Sequence, residues 1–181
     1  MEVIGNIEEF GVVRLSKDFA QKQISDLVEI INQIPLVNYS SKEILAEKKG
    51  GRIFYGKWYH SLVLIDKNKP LGVIIGYERK SEKNDQYPEN TIYISELGIS
   101  KQYQKRGLGR KLVQIFLHYN QQIGFKHIKG TLNFSVQTNS AQFNQHVINL
   151  YKSLGFKERA LKKYDNKVDL VFGLHPEKSC A

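Results

Sequence analysis

The six residues Gln104-Lys105-Arg106-Gly107-Leu108-Gly109 stand between a strand-like segment, Thr91 to Ile99, and a helix-like one, Arg110 to Gln122. In the second segment Leu112, Val113, Ile115, Phe116 and Tyr119 recur at helical spacing and make one buried face. A turn with two glycines at the mouth of a helix is an anion site. The first-turn N–H groups have no intrahelical partner, and the helix dipole adds partial positive charge there. Gly107 and Gly109 let a ligand approach the backbone with no Cβ in the way. Lys105, Arg106, Arg110 and Lys111 surround the turn with positive charge. The combination suits a pyrophosphate, whereas a glycine pair alone equally fits an ordinary tight strand-to-helix turn.

Working toward the N-terminus, Trp58 to Ile65 and Leu71 to Tyr77 are rich in β-branched and aromatic residues. With Asp66 to Pro70 between them, they read as a hairpin. Ser81 to Asn90, polar and holding Pro88, is a loop. Phe10 to Leu15 reads as the first strand. Ser16 is a plausible N-cap for a helix carrying Ile24, Leu27, Val28, Ile31 and Ile34, stopped by Pro35. Ser40-Ser41-Lys42-Glu43 has the form of a capping box and opens a short second helix ending near Gly50-Gly51.

Toward the C-terminus, Ile128 to Val136 is a strand. Asn144 to Leu154 is a helix closed by Gly155. Phe156 to Tyr164 and Val168 to Leu174 form a last hairpin across Asp165-Asn166-Lys167, and 175–181 is a tail.

The 181 residues read as one domain with its core over about 10–174. No apolar run approaches the ~20 residues that span a bilayer. Glu2, Glu8 and Glu9 argue against a signal peptide. The single cysteine, Cys180, has no internal disulfide partner, which fits a reduced cytoplasmic setting. The net charge of +9 suits an anionic ligand or a general solubility preference. The lysines are scattered rather than clustered, so nucleic acid is an unlikely partner, and no membrane partner is expected. The five histidines lack metal-ligand spacing, so no metal is expected.

The turn has the form Q-x-x-G-x-G, and the strand before it ends in Glu96-Leu97-Gly98-Ile99. Farther on comes Asn144-Gln145-His146-Val147-Ile148-Asn149-Leu150-Tyr151-Lys152-Ser153-Leu154-Gly155-Phe156. This ensemble, over roughly residues 91–158, resembles the GCN5-related N-acetyltransferase (GNAT) superfamily. There a [RQ]-x-x-G-x-[GA] loop grips the coenzyme A pyrophosphate, and a later N-x-x-A-x-x-L-Y-x-x-x-G-F motif supplies pantetheine contacts and a catalytic tyrosine. The resemblance implies an α/β chain of the α+β mixed-sheet kind, in the order β-α-α-β-β-β-α-β-α-β-β. It implies acetyl-CoA as acyl donor and a small-molecule or peptide amine as acceptor, in a monomer or homodimer.

The same resemblance suggests roles for single residues. Leu97, Gly98 and Ile99 would line the pantetheine arm, and Gln104, Lys105, Arg106, Gly107, Leu108, Gly109 and Arg110 the pyrophosphate. Gly98 equally reads as a bulge without a ligand. Tyr151 would protonate the departing thiolate, its ordinary pKa near 10 keeping it a ready donor; otherwise it is a core tyrosine. Glu96 would be the general base, or else a structural carboxylate at a strand bulge, since charge rarely enters an apolar run unless paired or functional. Asn144 precedes Tyr151 by seven residues, as the family asparagine does, but Val147 replaces the usual alanine and Asn139 competes for the pantetheine role. Asn38, Tyr39 and His60 are candidates for the acceptor pocket.

Two rivals stand beside an acetyltransferase. A non-catalytic acyl-CoA-binding module would keep the glycine turn and lose the chemistry; a basic nucleic-acid-binding domain would need clustered cations and stacking aromatics.

Overall fold

Unbroken apolar runs in the central strands call for a sheet with helices on both faces. The structure, a computed structural model, describes residues 2–34, 37–79, 91–125, 127–133, 138–160 and 167–172. The first half runs β1 (Val3–Ile7), β2 (Phe10–Arg14), α1 (Lys17–Lys22), α2 (Ile24–Asn32), α3 (Ser41–Leu45), β3 (Lys48–Lys49), β4 (Arg52–Ile53), α4 (Lys57–His60), β5 (Leu62–Asp66) and β6 (Lys69–Arg79). The second runs β7 (Thr91–Ile99), α5 (Leu108–Gln122), β8 (His127–Asn133), α6 (Thr138–Ser153), β9 (Lys157–Ala160) and β10 (Lys167–Phe172).

Eight strands form one sheet in the spatial order β1-β2-β5-β6-β7-β8-β10-β9, and β3 with β4 makes a separate small hairpin. β7 and β8 pair parallel; the other neighbours in the large sheet are antiparallel. β5 shows why helices cover both faces. Leu62 and Leu64 join the core beneath α5, while Val63 and Ile65 join the core beneath α1, α2 and α3. A strand buried on both sides reads as an unbroken apolar run.

Local signals account for several boundaries. The Ser16 hydroxyl caps α1 by accepting from the Phe19 N–H at 3.1 Å. The Ser40–Glu43 capping box opens α3. The capping box is where sequence expects it, but α3 stops at Ala46, and Gly50-Gly51 instead turns the β3–β4 hairpin with φ of 55° and 79°. Other expectations are corrected as well. A strand, β1, precedes Phe10 and pairs with β2. The helix after Ser16 breaks at Gln23 (φ −109°, ψ 24°) into α1 and α2. Trp58 to His60, expected as the start of a strand, instead fall in one helical turn, Lys57–His60, opened by Gly56 in the left-handed region (φ 63°). α6 starts six residues earlier than the motif suggested, at Thr138 rather than Asn144. The expected stop at Pro35, the loop at 81–90, the tail at 175–181 and the last-hairpin turn at Asp165-Asn166 lie outside the described residues.

A bulge in β7 positions the site. Ile75 of β6 pairs with Glu96 and Gly76 with Ile94, so Ser95 is an extra residue. The alternation therefore changes phase. Ile92 and Ile94, then Leu97 and Ile99, all pack in the α5-side core. Glu96 and Gly98 turn to the other face, toward α2 and α3. A Cβ on Gly98 would lie 2.9 Å from Ile30 Cγ2 and 3.0 Å from the Ile30 carbonyl oxygen. The close passage of α2 thus itself calls for glycine there.

Candidate active site

β7 and β8 part company midway. They pair from Thr91–His127 to Ile94–Gly130. Beyond that point Glu96 to Ile99 pair with β6, while Thr131 to Asn133 pair with β10. No pairing joins the far halves of β7 and β8 among the described residues. The two strands thus open a cleft along Leu97, Gly98 and Ile99, where backbone polar groups need other partners. One such group is engaged: the Gln104 side chain donates to the Ile99 carbonyl at 2.8 Å, tying the glycine turn to the strand end.

The turn leads straight from this cleft into α5. Lys105 and Gly107 adopt left-handed φ of 60° and 76°. The first helical bond runs from Lys111 N–H to Gly107 O at 3.1 Å, and no side chain caps the end. The N–H groups of Leu108, Gly109 and Arg110 therefore stand at an uncapped N-terminus, where an anion is stabilised. Leu108 is buried and anchors the turn. A Cβ on Gly109 would meet only Ile99 Cγ1, at an ordinary 3.5 Å.

The cations behave differently from the sequence expectation of a ring of charge around the turn. Lys111 bonds Glu8 at 2.7 Å, and Arg106 reaches Glu8 at 3.4 Å and Glu9 at 3.7 Å. Arg106 also lies over the rings of Phe10 and Tyr103. Both side chains are thus drawn to the β1–β2 turn. The hydrogen bond and charge of Lys111 hold the Glu8 carboxyl below its ordinary range. Arg110 instead donates to the Ser153 hydroxyl at 2.6 Å, joining α5 to the end of α6.

Glu96 is 9% exposed and accepts from the Tyr39 hydroxyl at 2.8 Å and from Ser95 at 3.2 Å. Burial raises its pKa; the Tyr39 and Ser95 bonds and the charges of Lys57 and Lys49 oppose the rise. Tyr39 is pinned by Asn32, whose amide donates to the Tyr39 carbonyl at 2.9 Å and accepts from the Tyr39 N–H at 2.6 Å. Burial first, and then the Glu96 charge, holds the Tyr39 hydroxyl protonated. A cavity lies against this pair, lined also by Glu43, Lys49, Phe54 and Tyr77.

Lys57 lines the same cavity, and sequence reasoning missed it. It is 4% exposed, and its ammonium donates to the carbonyls of Ile44 at 2.6 Å and Ala46 at 2.7 Å. Burial lowers its pKa to about 8, against the charges of Glu47 and Glu96. The available signal was a lone lysine inside the aromatic run Phe54 to His60.

Tyr151 is buried near the end of α6, its ring 4.8 Å from that of Phe156. Gly155 (φ 92°) ends the helix and turns Phe156 back, so that the Phe156 N–H donates to the Tyr151 carbonyl at 3.1 Å. This explains the spacing of tyrosine, glycine and phenylalanine. Burial raises the Tyr151 pKa, with the charges of Tyr93 and Glu96 adding to the effect. Asn139 and Asn144 both lie on α6. Seven residues return to nearly the same helix face at 3.6 residues per turn, so Asn144 shares a face with Tyr151 and Asn139 does not.

The structure does not bring His60 to this cavity. The ring, 1% exposed, faces α5, with Nδ1 2.7 Å from Asn120 Oδ1 and Nε2 3.4 Å from Glu78 Oε1. Gly56 makes room for it, since a Cβ there would come within 2.7 Å of the imidazole. His60 is a satisfied core histidine, and its reading as a substrate contact is corrected. Asn38 is exposed beside Tyr39. Among the described residues no cluster of His, Cys, Asp or Glu is placed to hold a metal ion, and no helix is long and apolar enough to cross a membrane.

A sheet that opens beside a glycine-bearing helix N-terminus is the arrangement that the resemblance to the acetyltransferases implies. The sequence pattern of the acetyltransferase (GNAT) family matches residues 25–156, and the chain belongs to that family. Solved structures share the fold. A chain of the NatC complex bound to Gag peptide and CoA is 20% identical, with 92% of this chain and 99% of that one covered and a TM-score of 0.66. The ribosomal-protein-S18-alanine N-acetyltransferase from Escherichia coli is 15% identical, with 93% and 97% covered and a TM-score of 0.62. Diaminobutyrate acetyltransferase EctA from Paenibacillus lautus, in complex with its substrate L-2,4-diaminobutyric acid and coenzyme A, is 11% identical, with 91% and 95% covered and a TM-score of 0.60. No curated protein matches the sequence.

Proposed function

We propose that this protein is an acyl-CoA-dependent N-acyltransferase that moves an acetyl group from acetyl-CoA to a primary amine by direct attack. The observation that carries the reading is the parting of β7 from β8 after Ile94 and Gly130, between the glycine turn and the buried Glu96. The N–H groups of Leu108, Gly109 and Arg110 receive the pyrophosphate, and the free edge of Leu97 to Ile99 receives the pantetheine arm. The Asn144 amide contacts the same arm. A backbone N–H near Ile99 polarises the thioester carbonyl.

The acceptor enters on the α2–α3 side, where Tyr39, Glu96 and Lys57 line the cavity. Glu96, ionised, takes the amine proton directly or through water as the carbon–nitrogen bond forms. Tyr151 gives its proton to the thiolate as the carbon–sulfur bond breaks. The proton count closes, and no covalent intermediate on the enzyme is needed. A raised Glu96 pKa suits a base working near neutral pH. The test is free-thiol release from acetyl-CoA across a panel of amine acceptors, with thermal stabilisation by acetyl-CoA measured in parallel. Absence of both would overturn the reading.

A further inference from the structure

Two carboxylates and two ammonium groups line the acceptor cavity: Glu43, Glu96, Lys49 and Lys57. Their pairing is uneven. Lys49 bonds Glu43 at 3.1 Å toward the solvent. Lys57 and Glu96 remain as opposite charges inside the protein. Among the described residues no carboxylate forms an ion pair with the Lys57 ammonium, whose hydrogen bonds run to the carbonyls of Ile44 and Ala46. The hydrogen bonds to Glu96 come from the neutral hydroxyls of Tyr39 and Ser95. Glu47, which also acts on Lys57, is exposed and bonded to Lys17 and Trp58. A buried ammonium is costly unless other charge answers it. An uncharged donor would serve two carbonyls, so the hydrogen bonds alone do not account for a lysine here.

We infer that Lys57 is a positioning residue for acyl transfer, its buried ammonium answering Glu96 across the cavity and keeping that carboxylate ionised for the acceptor amine. The inference rests on the acyltransferase reading and deepens it. A positive charge away from water favours a nearby carboxylate in its charged form and an entering amine in its neutral form. Those are the forms from which attack begins, since the neutral nitrogen carries the lone pair and the carboxylate takes the proton it sheds. Lys57 stands ahead of Lys49 among the charges that oppose the effect of burial on Glu96. The other groups about the carboxylate do not supply this charge. Burial holds Tyr39 and Tyr151 protonated, Tyr93 of β7 acts on both of them, and Tyr77 of β6 completes the cavity wall. From α2, Ile30 and Asn32 reach this side, while its Asp26 and Glu29 line a separate groove.

The first measurement needs no acceptor. Carbon NMR of protein labelled in its glutamate carboxyls follows the titration of Glu96, with Glu96→Gln identifying the signal. Lys57→Gln keeps a donor and loses the charge; Lys57→Met loses both. In each, Glu96 should titrate at higher pH than in wild type, whereas Lys57→Arg should stay nearer wild type. Lys49→Gln removes a charge already answered by Glu43 and should move Glu96 less. The second measurement is kcat/KM against pH with an acceptor found in the amine panel. Lys57→Gln should lose activity several-fold on the acidic side and recover as pH rises. In the Glu96→Gln background the same change should cost little more. An unmoved Glu96 titration in a folded Gln or Met variant would overturn the inference, as would an equal shift from Lys49→Gln. So would a loss uniform across the pH profile, or failure of both variants to fold, either of which would mark Lys57 as a structural clamp. Absence of thiol release by wild type with any amine would instead count against the acyltransferase reading, and the Glu96 titration would still decide whether Lys57 sets its charge.

Discussion

The Tyr39 hydroxyl donates to the Glu96 carboxylate across 2.8 Å, joining two residues 57 positions apart in the chain. The bond favours the ionised carboxylate, while burial favours the neutral one. The buried base is therefore a compromise, and two substitutions separate its components.

Glu96→Gln removes the charge and keeps the shape. Turnover should fall ~10²-fold or more, with loss of the acidic limb of the pH–rate profile, while acetyl-CoA binding stays near wild type. The same change should stabilise the protein at neutral pH. The folded pKa of Glu96 is raised, so its protonated form adds stability that is fully present below the ordinary carboxylate pKa and lost as pH rises through the folded value. Glutamine escapes that loss. Thermal melts of both proteins should converge at low pH and diverge toward neutrality. A variant that fails to fold would mark Glu96 as structural.

Tyr39→Phe deletes the donor and leaves the ring. The Glu96 pKa should rise further, moving the acidic limb of kcat/KM to higher pH. Activity should drop several-fold on the acidic side of the profile and recover as pH rises. A uniform loss across the whole profile would mean that Tyr39 acts on the acceptor rather than on the base.

What the sequence makes legible follows the range of each interaction. β7, the glycine turn and α5 carry their signals locally, in β-branched runs, glycines and helical periodicity, and so does the Ser40 capping box. A bulge in β7 is offered by the sequence only as an alternative for Glu96 or Gly98, and its place at Ser95 depends on the register with β6. The Glu8 pairings with Arg106 and Lys111 bring together segments about a hundred residues apart in sequence, so four neighbouring cations read as one ring around the turn. Aromatic side chains make Trp58 to His60 resemble strand, and only the left-handed Gly56 turns Lys57–His60 into a helical turn, which buries His60 and brings Lys57 to the cavity. The family resemblance offers Tyr39 for the acceptor pocket, but the bond of Tyr39 to Glu96 depends on Asn32 fixing the intervening chain.

Gly109→Val tests the anion site apart from the fold. An added Cβ meets only Ile99 Cγ1 at 3.5 Å, so the ligand-free protein should melt within a few degrees of wild type. Acetyl-CoA at ~100 times its dissociation constant should stabilise wild type by about 2.7 kcal/mol. On the proposed reading the valine side chain would stand where phosphate oxygens approach, and most of that stabilisation should disappear. A thermal shift equal to wild type would move the pyrophosphate away from this turn.

Tyr151→Phe addresses the leaving group. The ring packs on Phe156 in the core, and phenylalanine retains that packing, so stability should stay near wild type. The hydroxyl is buried with its pKa raised, and the Glu96 charge adds to that rise, so Tyr151 is protonated throughout the working pH range. Such a group donates only when a stronger base forms beside it, and thiolate charge developing in the transition state creates that demand. Acetyl-CoA affinity should therefore be nearly unchanged, while turnover falls by ~10²-fold or more, chiefly in kcat. An acyl donor whose thiol is more acidic needs less protonation on departure, so the variant should lose less with it than with acetyl-CoA. Steady-state comparison of the two donors in both proteins provides the check. Wild-type turnover in the variant, with the chemical step limiting, would remove Tyr151 from the mechanism and leave water as the proton source.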